Sequence, residues 1–210
     1  MTDAPPQSST RASALATIDI DLQRQLLALL SGTSWGMDAL WVVVLAGVWS
    51  DDRQSWFWPL LGYYILVAGS RHLFHWLYKR RQRDDAAVQH WMRVFYLLSA
   101  LLGLGWAGPV WLAQIGAPSF DLILPVVALA GMTINSTFIR SLHPAAAVAF
   151  VAPALASAGL ALLPGPGLTL QALGIGNFVY LAGLITLTRS LHRDHRKRAG
   201  QFGQFGNRNA

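Results

Sequence analysis

Six long, mostly apolar stretches, separated by short charged or Pro/Gly-rich connections, leave this chain few ways to fold. A bilayer core of about 30 Å is crossed by about 20 mostly apolar helical residues. The stretches that meet this are Leu26–Trp49, Trp56–Tyr78, Val94–Ile115, Leu122–Ile139, Ala145–Leu163 and Leu168–Thr188. Only 12% of the 210 residues are charged, against about 25% in a soluble domain. The expected fold class is therefore all-α, a polytopic six-helix transmembrane bundle spanning residues 26–189. Residues 1–25 read as a polar cytoplasmic lead-in with an interfacial helix near Ile18–Gln25, and residues 190–210 as a basic cytoplasmic tail. Nothing at the N-terminus reads as a cleavable signal peptide.

Orientation follows from Lys and Arg, which accumulate on the cytoplasmic side of short loops. With the N-terminus inside, fifteen of the sixteen fall on the cytoplasmic side, including the blocks YKRRQR and HRDHRKR, and only Arg53 lies outside. This fits an even number of spans, with both termini cytoplasmic. The formal net charge of +6 is thus a topology signal, and nucleic acid is not an expected partner. Trp56, Trp58, Trp76 and Trp91 sit near span ends, as an aromatic belt requires.

The connections are too short for a catalytic domain. The chain has no Cys and no Glu, so all ten acidic residues are Asp. Thiolate chemistry is excluded, and no paired carboxylates, phosphate-binding Gly loop or Ser-His-Asp arrangement is legible. No enzyme activity, metal or cofactor is expected.

Five positions carry what chemistry remains. Asp38 lies near the middle of the first span, where a carboxylate costs about 2.5–3.5 kcal/mol on insertion scales. Counted from the cytoplasmic span ends at 1.5 Å per residue, Asp38 is about 18 Å deep and Arg71 about 10 Å deep. An arginine side chain covers much of that gap if the two helices are neighbours. The pair either fixes packing or forms a ligand-binding or switching site. His72 and His75, three residues apart beside Arg71, share a helix face. They fit interfacial histidines among aromatic neighbours better than a metal or haem site, and pH sensing is a third role. Asn135, in the polar run GMTINSTFIR, could bond across helices, although such residues also bond back onto their own helix. Pro109, Pro125 and Pro153 predict interruptions of the third, fourth and fifth helices.

From about Arg71 onward, several features recur together. They are a basic block after the second helix, then HWMRVFYLLSALLGLGWAGPVWL, then HPAAAVAFVAPAL, and a last helix running into TRSLHRDHRKRAGQFGQFGNRNA. This arrangement resembles the N-terminal membrane sensor regions of bacterial histidine kinases and GGDEF-type diguanylate cyclases. The resemblance implies a bacterial inner-membrane protein whose final helix leads into a cytoplasmic output domain or partner effector. It also allows a homodimer. It supplies no ligand residues. No output domain lies within these residues, so an isolated sensor, a truncated product or a stand-alone subunit is expected. Gly200, Gly203 and Gly206 argue against a rigid exit from the last helix. Competing readings are a small transporter or channel coupled through Asp38, and a structural subunit of a larger membrane complex.

Overall fold

The computed structural model describes residues 20–28, 34–81, 85–115 and 120–206, and every regular element among them is helical. Helix α1 covers residues 20–28. Then follow α2 (Ser34–Gly47), α3 (Gln54–Arg80), α4 (Asp85–Ala113), α5 (Ile123–Ile139), α6 (Pro144–Leu162) and α7 (Leu168–Gly206). Short 3₁₀ turns at Asp51–Arg53 and Phe120–Leu122 lead into α3 and α5. Three stretches are long and apolar enough to cross a membrane: Ala87–Ala113, Pro144–Leu162 and Leu168–His195. The last is the most telling, because only 11% of its apolar window is buried within the protein. An apolar helix left so open suits lipid better than water.

The remaining helices depart from the expected spans. The first expected span, Leu26–Trp49, contains the end of α1 and all of α2, with residues 29–33 outside the described residues. Helix α2 has 14 residues and α5 has 17, about 21 and 26 Å at 1.5 Å per residue. Both fall short of a full bilayer core. Helix α1 is more than an interfacial lead-in: Leu26 and Leu27 are fully buried against Phe74, Tyr78, Val88, Met92, Phe95 and Ala146. The domain boundary expected at residue 26 therefore falls inside a docked helix. The one expected at Arg189 falls inside α7, which continues unbroken to Gly206 despite Gly200 and Gly203. Residues 1–19 and 207–210 lie outside the described residues.

Proline behaves differently at each site. Pro109 and Pro153 lie inside α4 and α6. Pro125, by contrast, sits in the first turn of α5, where its missing N–H is one that no helical carbonyl would have used. It starts that helix instead of interrupting it.

The tightest backbone packing joins α4 to α6, and glycine is the reason. A Cβ on Gly103 would collide with the Phe150 carbonyl and crowd Pro153. The α6–α7 crossing repeats the device: a Cβ on either Gly159 or Gly174 would sit 3.1 Å from the other's carbonyl oxygen. Small residues matter here because lipid is as apolar as leucine, so close van der Waals contact must hold helices together. The inner face of α6 is accordingly small, with Ala146, Ala147, Ala154, Ala158 and Ala161 buried.

Candidate functional site

Helix α2 presents Trp35, Asp38 and Trp41 at successive intervals of three, and α3 presents Tyr64, Arg71 and His72 to meet them. Tyr64 and Arg71 are seven apart, two helical turns, so both project from one face. Nη2 of Arg71 donates to both carboxylate oxygens of Asp38, at 2.9 and 2.8 Å. The Tyr64 hydroxyl donates to Oδ1 at 3.0 Å, and Nε2 of His72 lies 2.9 Å from Oδ2. Since a carboxylate only accepts, the proton of that last bond belongs to the histidine. Asp38 thus meets a guanidinium, a phenol and an imidazole within one turn of α2.

Aromatic rings hold this constellation in place. Trp41 stacks on Tyr64 with centroids 3.7 Å apart, and its indole N–H donates to the Gly105 carbonyl of α4 at 2.9 Å. Trp35 stacks on His72 at 4.6 Å but is itself 76% exposed. The result is graded access: the Arg71 side chain is 8% exposed, that of Asp38 16% and that of His72 29%. A group arriving from the surrounding apolar phase would meet Trp35 and His72 before the ion pair.

The expected Asp38–Arg71 contact is present, and His72 joins it. His75 does not. It turns into the interior, 6% exposed, edge-on to Phe74, and its Nδ1 has no hydrogen-bond partner. The two histidines share a side of α3 but do not converge on one ligand position. Asn135 lies exposed on α5. Its neighbours Thr133 and Thr137 donate back to Leu129, Ala130 and Thr133 carbonyls of their own helix, so this polar run does not bridge helices through them.

Sequence reasoning missed three further features. Arg53, read only as the lone outside cation, is 4% exposed and gathers four acceptors. Its Nε donates to Ile115 O at 3.0 Å, Nη1 to Val48 O at 3.0 Å and Asp121 Oδ2 at 3.1 Å, and Nη2 to Ala113 O at 3.4 Å. It closes the C-terminal ends of α2 and α4, where carbonyls lack helical donors. Arg140, just past α5, is buried over the rings of Phe150 (4.8 Å) and Phe95 (5.4 Å). Burial, and secondarily the charge of Arg71, lowers its pKa to about 9, so it remains a cation at neutral pH. His143 Nδ1 lies 3.1 Å from the Tyr96 hydroxyl and its Nε2 3.4 Å from the Gln23 amide nitrogen, linking α4, α6 and α1. Tyr64 alone had a readable signal, its spacing of seven from Arg71.

An apolar cavity of 510 Å³ lies between α3 and α4 at the Arg53 end, lined by Trp56, Leu60, Gly108, Trp111, Leu112 and Ile115. No protein-family model, curated protein or solved structure matches the chain.

Proposed function

We propose that the chain is a membrane-embedded sensory domain of the bacterial inner membrane, with six crossings and both termini in the cytoplasm. It would read a hydrophobic or membrane-borne cue and pass it to a cytoplasmic output domain or partner, as the resemblance to kinase and diguanylate cyclase sensor regions suggests. The observation that carries this reading is α7. It is one helix of 39 residues, about 58 Å at 1.5 Å per residue, and its apolar stretch ends near His195. Its remaining turns project beyond that stretch as a continuous lever. Where it leaves the bundle, α7 is tied to the α5–α6 turn through His192 Nδ1 to Leu142 O (3.0 Å) and through Ser141 Oγ and His195 Nε2 (3.2 Å). A shift at that turn therefore reaches the lever directly.

The orientation gains support from the gathering of Lys79, Arg80, Arg81, Arg93, Arg140, Arg189 and Arg193 at one end, opposite Arg53. Short α2 and α5 would cross with help from flanking turns and local thinning. The cavity at Trp56 and Trp111 and the half-open Asp38 constellation are the two places for a cue to act.

The test fuses residues 1–198 to a cyclase domain and inserts one to seven residues after Arg198. Output should rise and fall with a period near 3.6 residues; output insensitive to every insertion would remove the lever. A reporter placed after Arg198 should read cytoplasmic. A small proton-coupled transporter is the second reading, favoured by the half-buried carboxylate of Asp38. It forecasts solute or proton flux in vesicles that Asp38→Asn abolishes.

A further inference from the structure

A second cavity, of 520 Å³, opens between α6 and α7 at the basic end of the bundle, lined by Pro144, Thr186, Arg189, His192 and Arg193. Arg189 and Arg193 are four apart on α7, and His192 is three from Arg189, so their side chains share one face. Both arginines are exposed, and neither has a carboxylate partner among the described residues. Among the described residues, Arg193 Nε donates to the Arg189 carbonyl at 3.4 Å. Across the cavity, α6 begins at Pro144, and its N-cap His143 makes no side-chain capping bond. The first-turn N–H groups therefore add partial positive charge to the same space. The ring of His192 spans the gap, with Nδ1 held by Leu142 O. Thr186 gives its proton to Ala182 O at 3.0 Å, so its hydroxyl lines the wall without competing as a donor.

The geometry points to an anion here, and the surroundings say which kind. Toward the middle of α7 the exposed surface is apolar, with Val179 68% exposed and Phe178 and Leu187 each 36%. A charged recess above an apolar lane matches a ligand with a charged head and hydrocarbon tail. We infer that this cavity binds the phosphate of an anionic phospholipid, with the headgroup between Arg189 and Arg193 and the acyl chains along α7. Basic recesses between helices at the cytoplasmic face are where such headgroups settle. The inference stands whether or not the chain signals, because it concerns retention of lipid alone.

The experiment purifies the full chain from mixed phosphatidylcholine and phosphatidylglycerol micelles and counts retained lipid by native mass spectrometry. The wild-type chain should prefer phosphatidylglycerol roughly tenfold or more. Arg189→Gln with Arg193→Gln should erase that preference, and Thr186→Asp, which places a negative charge in the wall, should do the same. Arg80→Gln with Arg81→Gln removes equal charge at the same end and should leave the preference intact. Equal loss in both double variants would mean diffuse attraction and overturn the site, as would full retention in the Arg189/Arg193 pair. If inorganic phosphate at millimolar concentration displaces phosphatidylglycerol from the wild-type chain, the ligand is a free oxyanion and the lipid assignment fails.

Discussion

At one end of the bundle a single buried arginine, Arg53, is met by three carbonyls and a carboxylate. At the other end, Arg140 is equally buried but has only the faces of two phenylalanines. Among the described residues it has no carboxylate or hydrogen-bond acceptor, and its Nη1 is buried without one. Asp38 is engaged by Arg71. The helices at this end are joined instead through single bonds involving His143, His192 and His195. Four contacts on one guanidinium hold the helix ends together, whereas single bonds through imidazoles constrain an arrangement less. The Arg53 end is built as a fixed clamp. The basic end, from which α7 departs, is held through fewer bonds to each charged group.

The largest effect should come from Asp38, the half-buried carboxylate that pairs with Arg71. Asp38→Ala removes the carboxylate that two of the bonds of the buried Arg71 reach, and should destabilise by about 3–5 kcal/mol. Arg71→Ala combined with it should be milder than the sum of the two single changes. Thermal unfolding in detergent across the double-mutant cycle measures this; strict additivity would mean the ion pair does not couple α2 to α3. Next, Arg53→Met should destabilise by about 2–3 kcal/mol, since four acceptors lose their donor, and its midpoint should fall visibly. An unchanged midpoint would break the clamp side of the comparison.

The smallest and most diagnostic change is Arg140→Met. A buried cation without an anion carries a desolvation penalty that cation–π contact only partly offsets. The substitution should therefore be neutral or stabilising by about 1 kcal/mol, opposite in sign to the same change at Arg53. In a fusion with an output domain it should also lock activity at one level. Destabilisation matching that of Arg53→Met would show that the basic end is as fixed as the other.

Much of this architecture was legible in the residues. Hydropathy marked α3, α5, α6 and the start of α7 nearly to their ends, because an apolar run is bounded by charge or by turn residues; α4 begins well before the expected Val94 because its first turns are polar. Asp38 and Arg71 could be paired from depth alone. The failures were local. Pro125 was assigned a kink because proline does not announce whether it starts or interrupts a helix. The burial of Leu26 and Leu27 depended on partners from α3, α4 and α6.

What the sequence by itself determined is the helical class, the approximate element order and the one-sided distribution of positive charge. All three follow from transfer free energies that each residue carries wherever its neighbours lie. Only the tertiary structure decided the fate of each ionisable side chain. His72 and His75 have the same spacing and chemistry on paper, yet one reaches Asp38 and the other turns inward. Arg53 and Arg140 are alike as residues, but carbonyls surround the first and aromatic rings the second. The reason is physical. Hydropathy sums along a chain, whereas hydrogen bonds and ion pairs require atoms within about 3 Å, and residues 60 or more positions apart bring those atoms together.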